Sequence, residues 1–138
     1  MLLMDAQTRL RLFMVVAVVL VASAAYVLMA GDDAAYGDVS VEQARSLIQE
    51  EPDLVVLDVR TVAEYEEGHI AGAINIPVEE LEERLGELDP SSEYLVYCRT
   101  GNRSRVAVQL MSAGGFQRVY HMSSGITAWV GAGYPVVV

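Results

Sequence analysis

The sequence predicts an α/β fold, a mainly parallel sheet with helices on both faces, preceded by one membrane-spanning helix. Three observations point there. From residue 40 onward, strand-length apolar runs alternate with amphipathic helical stretches, which makes successive βα units. Two of those runs, Leu54-Val55-Val56-Leu57 and Tyr94-Leu95-Val96-Tyr97, are continuously apolar rather than alternating, as strands covered on both faces are. An uncharged stretch, Leu12 to Ala30, stands ahead of them.

In chain order, residues 1–11 carry Asp5, Arg9 and Arg11 and form an N-terminal segment expected on the cytoplasmic side. As a helix at about 1.5 Å per residue, residues 12–30 span roughly 28 Å, close to the hydrocarbon thickness of a bilayer. A transmembrane helix is the leading expectation, and Ala22-Ser23-Ala24, with the spacing signal peptidase accepts, keeps a cleaved signal sequence open. Two arginines precede the run, and the next basic residue after it is Arg45. That bias predicts a single-pass membrane protein with its C-terminal domain outside the cytoplasm, or a secreted one if the signal is cleaved. Residues 31–38, small and polar, read as a linker.

Ser40-Val41-Glu42-Gln43 has the spacing of a capping box, opening a helix to about Glu50 with Ala44, Leu47 and Ile48 on one face. The strand Leu54 to Asp58 follows. Thr61 can cap a short helix to about Glu67, which Gly68 ends. Ala73 to Ile76 is a brief strand stopped by Pro77, and apolar residues at 78, 81, 85 and 88 among glutamates make an acidic-faced helix. Strand Tyr94 to Tyr97 leads into a loop and a helix to Ala113, closed by Gly114-Gly115. Val119 to His121 is a last strand, and a helix from Ser123 through Trp129 completes the domain, with Trp129, Ile126 and Tyr134 read as core.

With a net charge of −10, the chain disfavours nucleic acid as a partner. One cysteine excludes an internal disulfide, and with two histidines it is too little for a dedicated zinc site, so neither metal nor cofactor is expected. That cysteine, Cys98, begins Cys98-Arg99-Thr100-Gly101-Asn102-Arg103-Ser104, between the end of a strand and the start of a helix. Inward N–H groups and the helix N-terminus stabilise an anion there, so the thiol pKa is expected below its free value of about 8.5. The bland alternative is a buried cysteine packed as a small hydrophobe. Arg99, Arg103 and Arg105 crowded beside it would then have no packing purpose.

Together with Leu57-Asp58-Val59-Arg60, Glu64-Tyr65, Gly68-His69-Ile70-Ala71-Gly72-Ala73-Ile74-Asn75-Ile76-Pro77 and Gly125-Ile126-Thr127-Ala128-Trp129, this loop resembles a single-domain rhodanese, a sulfurtransferase. The resemblance runs from about Ser40 to Val136, so a rhodanese-like domain is expected at 39–138. It implies a five-stranded sheet and a catalytic Cys98 that takes the outer sulfur of a donor such as thiosulfate as a persulfide. A thiophilic acceptor, a small molecule or a protein thiol, then removes it. Arg99, Thr100, Gly101, Asn102, Arg103 and Ser104 are the implied substrate-binding loop, with the N–H groups of Thr100 through Ser104 cradling the persulfide. Arg103 is assigned to the anionic donor and Arg99 to the rim. Asp58 and Arg60 are implied to brace the loop, and His69 to lie in a turn near the site; His121 reads as a satisfied strand-end histidine.

Two alternatives stand beside that reading. The cysteine phosphatases similar to rhodaneses in fold hold five residues between Cys and Arg, whereas four separate Cys98 from Arg103. The tighter loop suits a single sulfur atom, which makes phosphatase or arsenate reductase the weaker reading. A persulfide carrier without turnover, or a binding or signalling module, is the other.

Overall fold

The computed structural model describes residues 5–29, with side chains through residue 21, and residues 36–138. These fall into two compact units divided between Ala35 and Tyr36. The first contains helix α1, Ala6–Met29, whose first turn is closed by the Thr8 N–H donating to Asp5 at 2.7 Å. Among the described residues no helix is long and apolar enough to cross a membrane. The transmembrane helix expected at 12–30 is thus not supported among the described residues. Ala30 and most of the expected linker lie outside the described residues, and the side chains of the possible cleavage site at 22–24 are not described.

The second unit is a five-stranded parallel sheet in the order β1-β5-β4-β2-β3. The strands are β1 Asp38–Val39, β2 Val55–Asp58, β3 Ile74–Asn75, β4 Tyr94–Tyr97 and β5 Val119–Met122. Between them run α2 Val41–Glu50, α3 Val62–Glu67, α4 Val78–Arg84 with a 3₁₀ turn at Leu85–Glu87, and α5 Asn102–Ala113; α6 Gly125–Gly131 follows β5. The capping box at α2 forms as its spacing predicts, Gln43 N–H donating to Ser40 Oγ and Ser40 N–H to Gln43 Oε1. Only β1 has no counterpart in the apolar pattern.

Side chains alternate across the sheet and bury both faces. Val56, Leu95, Tyr97 and Met122 pack against Ala44 of α2 and Ile126 and Trp129 of α6. On the other side Leu57, Tyr94, Val96 and Cys98 pack against Leu81 of α4 and Ala107 and Met111 of α5. Trp129 donates from Nε1 to the Pro135 carbonyl at 2.9 Å and meets Tyr134 edge-on, as core packing requires.

The carboxyl ends of β2 and β4 are adjacent, where the chain reverses its direction across the sheet and a crevice opens. Buried Asp58 and Arg60 form a forked ion pair at the end of β2, Nη2 to Oδ2 at 2.6 Å and Nε to Oδ1 at 3.0 Å. The same Nη2 donates to the Gly68 carbonyl at 2.7 Å, and Asn75 Nδ2 donates to the Asp58 and Arg60 carbonyls. This brace ties β2 to the turn after α3. At the end of β4, α6 is held against the loop by Ile126 N–H to Cys98 O and Thr127 N–H to Arg99 O, at 2.9 and 3.2 Å. Gly125 permits that approach: its φ is +72°, and a Cβ there would lie 2.2 Å from the Arg99 carbonyl oxygen.

Gly125→Ala should therefore cost at least the ~1–3 kcal/mol of a strained left-handed residue. Gly86→Ala, where an added Cβ meets nothing within 4 Å, should stabilise by about 0.4–1 kcal/mol through the unfolded chain. Urea unfolding of both variants checks the pair, and equal midpoints would contradict the packing described. Arg60→Met leaves the Asp58 charge buried without its partner and should cost about 3–5 kcal/mol by the same measurement.

Candidate active site

The site is built on the turn from β4 to α5. Backbone pairing of β4 between β2 and β5 fixes the position of Cys98, one residue beyond the strand and 1% exposed. Gly101 then takes φ +102°, and α5 begins immediately after it with no capping side chain. The unsatisfied N–H groups of a helix start must find an acceptor, and here they find the sulfur. Gly101 N–H donates to Cys98 Sγ at 3.1 Å, and the Ser104 hydroxyl donates to the same sulfur at 3.3 Å. Burial pushes the Cys98 thiol up, but the Ser104 hydroxyl and the N–H groups of Ser104, Gly101 and Thr100 outweigh it and hold the thiol below its ordinary value. A Cβ on Gly101 would fall 1.9 Å from the Ser123 carbonyl oxygen, so the loop sits tightly on the start of α6.

The six loop residues divide three ways. Gly101 and Ser104 are buried and face the sulfur, while Arg99, Thr100 and Asn102 are exposed. Arg103 points to α3, its guanidinium forked onto Glu64 at 2.7 and 2.9 Å. Glu64 also accepts from the N–H and hydroxyl of Thr61, so one carboxylate caps α3 and anchors the first turn of α5. The Arg103 guanidinium holds the Glu64 carboxyl down at about 2, from an ordinary 4.5. The clamp thus contributes fully above pH 4.5 and is lost as pH falls toward 2. Among the described residues Arg99 has no ion pair, and it lines a cleft with Arg60, Gly68, Ile126 and Thr127.

The supporting residues are placed as follows. Asp58 and Arg60 form the brace at Gly68, with Arg60 reaching the wall of the same cleft. His69 stacks on Tyr65 at 3.7 Å between ring centres, donates from Nδ1 to the Tyr65 carbonyl, and bridges Val137 through its backbone. Its partners are all structural. His121 is less ordinary than a strand-end histidine: buried, it contacts Ser104 Oγ through Nε2 at 2.7 Å and Asp38 Oδ1 through Nδ1 at 2.8 Å. Glu64, His121 and Asp38 were not among the residues the sequence singled out for the site. The capping-box spacing of Thr61 and Glu64 was a signal for the first; the other two come together only through strand order. No cluster of three metal-ligating side chains exists among the described residues.

Residues 40–132 match the model of the rhodanese-like domain. The chain is 30% identical over 100 residues to a sulfurtransferase of Allochromatium vinosum, covering 72% of this chain and 94% of that one. It is 34% identical over 94 residues to the thiosulfate sulfurtransferase GlpE of Coxiella burnetii, 68% and 87% covered. It is also 35% identical over 94 residues to the putative sulfur carrier protein YrkF of Bacillus subtilis, covering 68% of this chain but only about half of that protein, 51%. The crystal structure of a rhodanese-related protein from Thermoplasma volcanium superposes with a TM-score of 0.67 at 37% identity, 74% of this chain on 98% of that one. With this match, the parallel five-stranded sheet and the cysteine loop at the end of β4, the chain belongs to the rhodanese-like family of sulfurtransferases and sulfur carriers.

Proposed function

We propose that the protein is a membrane-anchored sulfurtransferase that carries sulfane sulfur as a persulfide on Cys98. The observation that carries this reading is the set of donors aimed at one buried sulfur, Gly101 N–H at 3.1 Å and Ser104 Oγ at 3.3 Å. The thiolate attacks the outer sulfur of a donor such as thiosulfate; the donor's S–S bond breaks and sulfite departs with the bonding pair. The negative charge passes to the terminal sulfur of the persulfide, where fixed N–H dipoles stabilise it. A thiophilic acceptor then attacks that sulfur and restores the thiolate. For the donor anion the exposed Arg99 is the better placed cation, since Arg103 already spends both ends of its fork on Glu64. The likeness to the protein named a putative sulfur carrier supports a second reading, in which Cys98 is loaded and unloaded by proteins without small-molecule turnover.

Attachment to the membrane rests on the uncharged run from Leu12 to Ala30. In its described part, Leu12, Phe13, Met14, Val15, Val16, Val18 and Val19 are all exposed and occupy every side of α1. A helix apolar all round needs an apolar surrounding. The arginines at 9 and 11 favour an exported domain.

Incubation with thiosulfate should add one sulfur atom to the intact mass of the protein, and Cys98→Ser should abolish the gain without changing the fold. No gain with any sulfane donor would remove both readings; a gain without turnover of cyanide would select the carrier. Arg99→Ala should lower kcat/KM for thiosulfate about tenfold through KM, the lower end of a charge-assisted contact at an exposed site. Arg103→Ala should act chiefly on stability, and a reversed pattern would return the donor to Arg103. Protease added to intact spheroplasts should digest the C-terminal domain; protection until lysis would reverse the orientation.

A further inference from the structure

Four groups from three separate strands and a helix stand in a row: Asp38 on β1, His121 on β5, Ser104 on α5 and Cys98 at the end of β4. Asp38 Oδ1 lies 2.8 Å from His121 Nδ1, His121 Nε2 lies 2.7 Å from Ser104 Oγ, and Ser104 Oγ lies 3.3 Å from Cys98 Sγ. Packing alone does not call for this. Asp38 and His121 are register partners across the β1–β5 edge, and His121 is 4% exposed, so an apolar residue would fill its place in the sheet.

A serine hydroxyl has one proton, and here three acceptors compete for it: the sulfur, His121 Nε2 and the Gly101 carbonyl at 3.2 Å. Which one receives it depends on the imidazole. With Nδ1–H donating to the Asp38 carboxylate, a neutral His121 presents a bare Nε2, and the hydroxyl donates to it. The sulfur then loses that donor. When His121 is doubly protonated, Nε2–H donates to Ser104 Oγ, and the hydroxyl is released to donate to the sulfur anion.

We propose that His121 is a positioning residue for the sulfur chemistry, taking the Cys98 proton through the Ser104 hydroxyl and, as imidazolium, turning that hydroxyl toward the thiolate or persulfide. The transfer balances without an outside reactant. The Sγ–H bond breaks as a new Oγ–H bond forms, the original hydroxyl proton passes to Nε2, and the charges left are a sulfur anion and an imidazolium one hydroxyl apart. Asp38 fixes the ring and leaves Nε2 facing Ser104 through its hydrogen bond to Nδ1. From each element around His121, β1 contributes Asp38, β4 contributes its register partner Val96 and then Cys98, and α5 contributes Ser104. The α5 arginines do not meet it, Arg103 being paired with Glu64 and Arg105 exposed.

The inference rests on Cys98 being the sulfur nucleophile, but its test reads thiol acidity and not sulfur transfer. The rate of alkylation of the full chain by iodoacetamide, followed against pH, reports the Cys98 thiolate, as no other cysteine is present. The wild type should show an additional inflection between about pH 5 and 8 from the coupled imidazole. His121→Gln should remove that inflection and raise the thiolate midpoint by about one unit, a tenfold loss of reactivity below it. Asp38→Asn, at a side chain 73% exposed and thus safe for folding, should loosen the ring and change the inflection without removing it. Unchanged profiles in Asp38→Asn and in a folded His121→Gln would overturn the relay, even with sulfur uptake intact. Absence of sulfur uptake with the predicted profiles would overturn only the sulfurtransferase reading.

Discussion

A sulfur atom stands where helix α5 would otherwise need a capping side chain, and the rest of the site depends on that substitution. The first turn of α5 has N–H groups without helical partners, and burial leaves no water to take them. Cys98 Sγ accepts from Gly101 N–H and from Ser104, both fixed by the helix they begin. A thiol accepts weakly, a thiolate or persulfide strongly, so the local fold is better satisfied when the sulfur is charged. Structure and reactivity therefore share one set of hydrogen bonds.

The charged side chains near the loop serve mainly to hold backbone in place. Arg60 satisfies Asp58 and then the Gly68 carbonyl, so a buried ion pair fixes the turn that forms one wall of the cleft. Arg103 satisfies Glu64, which also caps α3, so the two helices beside the site are joined by one carboxylate. In both pairs the arginine supplies a planar fork that matches two carboxylate oxygens, which a lysine could not. Arg99 differs by being exposed and unpaired among the described residues, the state expected of a cation that meets a ligand.

Much of this was legible in the residues. The Ser40–Gln43 spacing gave its helix start, and the continuous apolar runs at 54–57 and 94–97 marked strands β2 and β4, because burial on both faces leaves that mark. The Cys98 loop was legible as a turn from strand to helix whose donors meet at the sulfur. β1 was not, since two residues at a sheet edge owe their conformation to pairing with β5 rather than to any pattern of their own. Helix α5 starts at Asn102, earlier than its apolar periodicity suggests, because its first turn is specified by the sulfur and by Gly101 rather than by hydrophobic residues. Arg103 and Glu64 are 39 positions apart, and Asp38 and His121 are 83 apart, so only the strand order could bring those partners together.

Donors at the start of α5 outweigh burial and hold the Cys98 thiol below its ordinary value. The ultraviolet absorbance of the thiolate, titrated with pH as the difference between the wild type and Cys98→Ser, measures this directly, because Cys98 is the chain's one thiol. The midpoint should fall below the ordinary thiol value of about 8.5. A midpoint at or above that value would show that burial outweighs the donors at the start of α5.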